Sequence, residues 1–205
     1  MHLDFSNLSK AQSYHVMTHC IVPRPIAWIL TTNENGSYNL APFSYFQAIG
    51  SKPATVMVSI GFKADGGKKD TLVNLEREQH CVMHIANVEQ VNAVNLSAKP
   101  LPYNESETEL CTLSTTTVDG WSLPRLTDAS VAFYCRLIEV NVISGMNVVF
   151  AEARCIWIDD AITEPAPMGG DVPDLPNPKK LDPLARLGFR SYAALAESFE
   201  LERPT

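Results

Sequence analysis

The 205-residue chain has no surplus of positive charge: 16 Lys and Arg stand against 23 Asp and Glu, a formal net charge of -7. A protein that grips nucleic-acid backbone needs clustered Lys and Arg, so duplex DNA or RNA is not an expected partner. No apolar run reaches the length that crosses a bilayer, and the opening MHLDFSNLSKAQ lacks the basic start and apolar segment of a secretory leader. The expectation is a cytoplasmic protein with no membrane partner. Cys20, Cys81, Cys111, Cys135 and Cys155 are scattered and mostly set among β-branched or apolar neighbours, as buried reduced thiols are. The dinucleotide fingerprint G-x-G-x-x-G and the nucleophile elbow G-x-S-x-G are both missing, which argues against a Rossmann domain and a serine hydrolase. His15/His19 and His80/His84 are pairs four apart, but both read as strand-like. There the spacing is too long for easy chelation, so no metal is expected.

What is present is strand-forming. With 45% hydrophobic side chains, the chain can bury its apolar surface in a single domain over 1-205. Residues 26-32 are apolar and β-branched at both parities, the mark of a strand buried on both faces. Asn35-Gly36 follows, a tight-turn pair that tolerates positive φ, and extended character resumes over 38-47. Pro42 cannot donate to a ladder, so this second strand belongs at an edge or carries a bulge. Residues 55-60 and 81-86 read as further strands, and 71-78 and 88-98 as short helices. The polar stretch 99-128, with the acidic run ESETE, reads as a surface excursion whose charges are solvated. Strands over 130-143 and 148-158 form a second hairpin around Ser144-Gly145-Met146-Asn147. A proline-rich arm over 163-178 and a helix over 181-196, interrupted at Gly188, complete the 163-205 region. Strands that mostly follow strands favour a mainly β fold, a closed or split antiparallel β-barrel with a few short flanking helices.

Two stretches could carry chemistry. In GFKADGGKKDTLVNL (61-75), the glycines let backbone N-H groups approach closely and Lys68 and Lys69 bring charge. Thr71 lies in the first helical turn, where unpaired amides and the helix dipole favour an anion. The segment is a phosphate seat, or a helix start that Asp70 caps while the lysines stay solvated. In PRPIAWILTTNENGSYNLAPFSYF (23-46), Arg24 is constrained between Pro23 and Pro25 and directed at a bound anion or at a structural salt bridge. Trp28 flanks an aromatic ligand or fills the core. Asn39, Ser44 and the main chain of 40-43 offer donors and acceptors that suit a heteroaromatic ring.

These two stretches, with KPATVMVSI (52-60) between them, resemble consecutive signatures of the flavin reductase-like, FMN-binding split-barrel proteins, the group that includes flavoredoxin. The likeness covers most of 21-95 and continues more faintly to LDPLARLGFRSY (181-192). It implies a split-barrel homodimer with one bound FMN per subunit near the interface. It further implies a ring lying against Asn39, Leu40, Ala41, Pro42, Phe43 and Ser44, lined by Trp28, Thr31 and Thr32, with Arg24 tuning it. Lys69, Asp70 and Thr71 would attend the phosphate, and Arg186 and Tyr192 would pack near the ring. Members of the group often carry a second glycine where this chain has Phe189. The implied activity is that of a flavin reductase passing electrons from NADH or NADPH to a flavin, a partner protein or a small acceptor. The other reading is a non-catalytic flavin-binding carrier reduced by a separate enzyme. In either case the chemistry belongs to FMN, and no catalytic side chain is expected.

Overall fold

The apolar run at 26-32 has strand neighbours on both sides, and its two faces enter two different cores. The structure is a computed structural model that describes residues 1-166, 170-199 and 201; the centre of the proline-rich arm and the chain end lie outside the described residues. In chain order the main elements are α1 (Lys10–Cys20), β1 (Ala27–Thr32), β2 (Tyr38–Phe43), β3 (Phe46–Ser51), β4 (Ala54–Ile60), α2 (Asp70–Glu78), β5 (His80–Ile85), α3 (Val91–Leu96), α4 (Glu107–Leu110), β6 (Val131–Ile143) and β7 (Met146–Ile158).

The seven strands form one antiparallel sheet in the order β2-β1-β5-β6-β7-β4-β3. Laid flat, seven strands about 4.8 Å apart would hold their outermost members about 29 Å from each other. Those outermost members, β2 and β3, are joined only by Ser44 and Tyr45. From Phe43 to Phe46 the chain reaches about 11 Å at most, so the sheet must curl until its ends meet. The result is the split antiparallel β-barrel, seamed at β2 and β3.

On one face of the wall Ala27, Ile29, Val58, Met83 and Val149 pack with Leu72 and Leu75 of α2; on the other Trp28, Leu30, Leu40 and Val82 pack with Val94 of α3 and with Leu123, Leu126 and Leu184. The Asn35-Gly36 turn sits where the sequence places it, with Gly36 at φ +83°.

Four expectations are corrected. His15 and His19 lie on a helix, not a strand: α1 is opened by a capping box in which Ser9 and Gln12 satisfy each other's backbone amides. The extended stretch 38-47 is two strands at opposite ends of the sheet order. The segment 99-128 is not all surface, because Glu107, Thr108, Leu123 and Leu126 are buried. The helix over 181-196 is absent. A single turn, Pro178–Leu181, ends at Asp182 in the left-handed region. Ala185–Arg186 then pairs with Arg24–Pro25 on one side and Tyr192–Ala193 on the other.

Candidate functional site

The site is built on the edge strand β2. Leu40 pairs opposite Leu30 and Pro42 opposite Trp28. The Leu40 N-H points away from β1 and donates to Glu107 Oε2 at 2.8 Å; the Tyr38 carbonyl accepts from Ser106 Oγ at 2.7 Å. Pro42 shares this outward parity, so its missing N-H costs no ladder bond. The upper part of the margin is therefore covered by the start of α4, and the part from Ala41 onward is left to border a cavity.

That cavity has a volume of about 510 Å³, within the usual range for small-molecule sites. Asn39, Ala41 and Pro42 form one wall, Lys69, Asp70 and Thr71 a second, and Lys63, Lys99, Leu101 and Glu107 are among the residues that close it. α2 begins there with Lys69 as its N-cap and no side-chain cap bond, so the first amides of the helix keep free donors. Thr71 is aimed by a buried network. Asn39 Nδ2 donates to Thr71 Oγ1 at 2.9 Å and to Thr31 Oγ1 at 3.2 Å, and Asn74 Nδ2 donates to Thr31 Oγ1 at 3.2 Å and Asn33 Oδ1 at 2.8 Å. Since Thr71 Oγ1 accepts from Asn39, its own proton is available for donation.

Lys69 is an exposed residue whose Nζ stands over the Phe43 ring, 5.5 Å from the centroid, and desolvation of the ammonium there pulls its pKa down. Among the described residues it pairs with no carboxylate. Asp70 does not cap the helix; it is held by Lys63 at 2.5 Å. Lys68 turns aside to Glu76 at 2.6 Å. Glu107 was expected among solvated charges, yet it is only 6% exposed. Burial pushes its carboxyl up, the Leu40 amide opposes that, and Asp70 adds repulsion.

The remaining expected residues stand elsewhere. The side chains of Trp28, Leu40 and Phe43 belong to the cores, and Trp28 Nε1 is bound to Ser97 Oγ at 2.9 Å. Its indole therefore cannot flank a ligand. Thr31 sits behind Asn39 in the network, and the Thr32 carbonyl accepts from Arg77 at 2.5 Å. Arg24 is neither an anion clamp nor half of a salt bridge. Its guanidinium donates to the carbonyls of Thr18 at 2.5 Å, Ile21 at 3.0 Å and Leu187 at 2.8 Å, which caps the C-terminus of α1. Ser44, in the link between β2 and β3, lies 3.5 Å from Arg24 Nε. Arg186 stacks on Tyr192 at 4.5 Å, and both are half-buried away from the first cavity. Arg24 and Arg186 line a second cavity instead. Among the described residues, no group of His, Cys, Asp and Glu is placed to hold a metal.

The comparisons agree with this architecture. An uncharacterized protein of Halalkalibacterium halodurans is 30% identical over 209 residues, covering 100% of this chain and 97% of that protein. Nitrilotriacetate monooxygenase component B from Bacillus cereus superposes with a TM-score of 0.90 at 28% identity, covering 98% of each chain. Flavoredoxin of Desulfovibrio vulgaris (Miyazaki F) shares the fold, with a TM-score of 0.74 at 18% identity over 88% of this chain and 91% of that one. Residues 17-170 match the model of the flavin reductase like domain, and with the strand margin and helix start described above, the chain belongs to that family of flavin-binding oxidoreductases.

Proposed function

We propose that the protein binds FMN in the first cavity and works as a flavin reductase, taking electrons from NADH or NADPH. One observation carries the reading: the strand margin at Ala41 and Pro42, whose outward group is the Pro42 carbonyl, and an uncapped helix start bearing Lys69 and Thr71 border a single cavity of about 510 Å³. The residues fit such a ligand. The Pro42 carbonyl suits a ring N-H, while the first amides of α2, the Thr71 hydroxyl and the Lys69 ammonium suit a phosphate. When bound, FMN supplies the two-electron chemistry. The chain positions and shields it: the network through Asn39 fixes the donor at Thr71, and Glu107 confines the ring to the lower margin by occupying the Leu40 amide.

The test is titration of flavin-free protein with FMN and with riboflavin. Lys69→Ala together with Thr71→Ala should weaken FMN by at least about tenfold, since charge-assisted hydrogen bonds are lost, and should leave riboflavin nearly unchanged. Equal FMN affinity in the double variant removes these residues from the site. Anaerobic mixing of the FMN-loaded protein with each nicotinamide then separates the enzyme from the carrier, because the carrier is bleached only when a second protein is added.

A further inference from the structure

The second cavity, also about 510 Å³, lies between α1 and the turn at 186-191. Its lining includes Arg24, Arg186, Arg190 and His15 and no Asp or Glu, in a chain of net charge -7. Among the described residues none of these arginines makes an ion pair. Arg186 donates to the Ser191 carbonyl at 3.2 Å and to that of Phe189, so neutral acceptors hold the guanidinium in place and leave its charge uncompensated. Arg24, buried in the same lining, is likewise met by carbonyls. Arg190 is exposed.

The turn also presents a ring at a conformational cost. Phe189 sits at φ +49°, a region where a bulky side chain is strained by about 1-3 kcal/mol. Beneath it, Gly188 faces the His19 ring, which a Cβ there would meet at 2.3 Å. The turn lies against α1 through these ring contacts. It holds the Phe189 ring 4.8 Å from His15 and 4.6 Å from His19, with the residue still 64% exposed. Tyr14 is a further wall of the same cavity.

We propose that this second cavity binds a planar aromatic anion, a ring that packs on Phe189 and Tyr14 and carries a carboxylate or phosphate to Arg190 and Arg186. Its placement gives such a ligand a role. Arg24 meets Ser44, and the Tyr14 ring lies 6.5 Å from that of Tyr45, so this cavity adjoins the far end of the margin whose other end lines the first. An electron donor or acceptor would stand next to the flavin seat. That role rests on the FMN reading; the anion site does not. The shared chemistry has two sources, a pyridine nucleotide donor and an aryl carboxylate acceptor.

Calorimetric titration of the FMN-saturated protein with oxidised NAD and with benzoate tests the site and separates the sources by which probe binds more tightly. Arg190→Ala should weaken the tighter probe about tenfold by removing a charge-assisted contact. Phe189→Gly should weaken it as well while keeping or raising the melting temperature, because glycine suits φ +49°. FMN affinity should stay within about twofold in both variants. No binding of either probe to the parent protein, or parent-like binding in both variants, overturns the proposal. Loss of FMN affinity in the same variants overturns it too, by giving this cavity to the flavin. Failure of the FMN reading is distinct, since it shows at Lys69 and Thr71.

Discussion

Two buried titratable residues set opposite limits on the pH range of the fold. His84 is fully buried, its Nδ1 placed 2.9 Å from the Trp28 carbonyl and its Nε2 accepting the Leu126 amide at 3.0 Å. Burial is the main cause that lowers its pKa to about 4 from the ordinary 6.5. The unfolded chain therefore binds the proton more readily, and stability is lost as pH falls from about 6.5 through about 4. A difference of that size is worth roughly 3 kcal/mol, so the urea midpoint should drop steeply between pH 7 and pH 4.5; a flat midpoint over that interval contradicts the burial. Glu107 works in the other sense. Its raised carboxyl holds a proton better in the folded state, so stability falls as pH rises from the ordinary carboxylate value through the raised one. Glu107→Gln keeps an acceptor for Leu40 but removes the charge. Its expected signature is the loss of that slope in melting temperature together with tighter FMN binding, while Glu107→Ala should cost about 1-3 kcal/mol by stranding the buried Leu40 N-H. Glu107 was not legible in the sequence for a physical reason. Its acidic neighbours look solvated, and its partner is 67 residues away.

At the scale of elements, the cavity depends on how α2 is docked against β1 and β2. Asn74 is fully buried and ties the helix to Thr31 and Asn33, on the same network that aims Thr71. Asn74→Ala should destabilise by about 2 kcal/mol, since it leaves Asn33 Oδ1 without its buried donor, and should weaken FMN without touching it. A lowered melting temperature with unchanged FMN affinity would show that the helix start is held by its apolar face alone. The same two kinds of force decide what the sequence revealed. β1, α2 and the β6-β7 hairpin are legible because local periodicity and turn chemistry agree with their packing. The helix start at Lys69-Thr71 is legible because helix starts expose amides wherever they occur. α1 lacks an apolar stripe, so only its capping box marked it. The leucines at 181, 184 and 187 imitate a helical stripe, but left-handed Asp182 and Phe189 and the ring of Pro183 prevent the helix. Arg24 was misread because its three carbonyl partners come from a helix end and a turn that no motif announced.

Closure of the sheet accounts for the molecule's remaining apolar surface. β6 and β7 run thirteen residues each, whereas β4 pairs with β7 only from Asn147 to Glu152. The hairpin therefore outgrows its neighbours at both ends, and the apolar positions that remain are uncovered: Ile138 is 47% exposed, Val142 68%, Ile143 54% and Ile156 47%. β3 adds Ile49 at 50% on an edge whose other residues are also mostly open. Single exposed apolar residues need no cause, but several β-branched ones along one projecting hairpin do. We propose a second copy as the cover, since a twofold interface lets one patch cover itself and the family resemblance implies a homodimer. The chain should then run at twice its 22.6 kDa mass in light scattering. Val142→Glu with Ile143→Glu should shift it toward the monomer, because each buried charge lacks a partner, without unfolding the barrel. A monomeric parent protein would refute the dimer. A double variant that stays dimeric would move the interface away from this hairpin. If dissociation also weakens FMN in proportion to the monomer fraction, the subunit boundary lies close enough to the first cavity to shape it, which neither the margin nor the helix start could reveal alone.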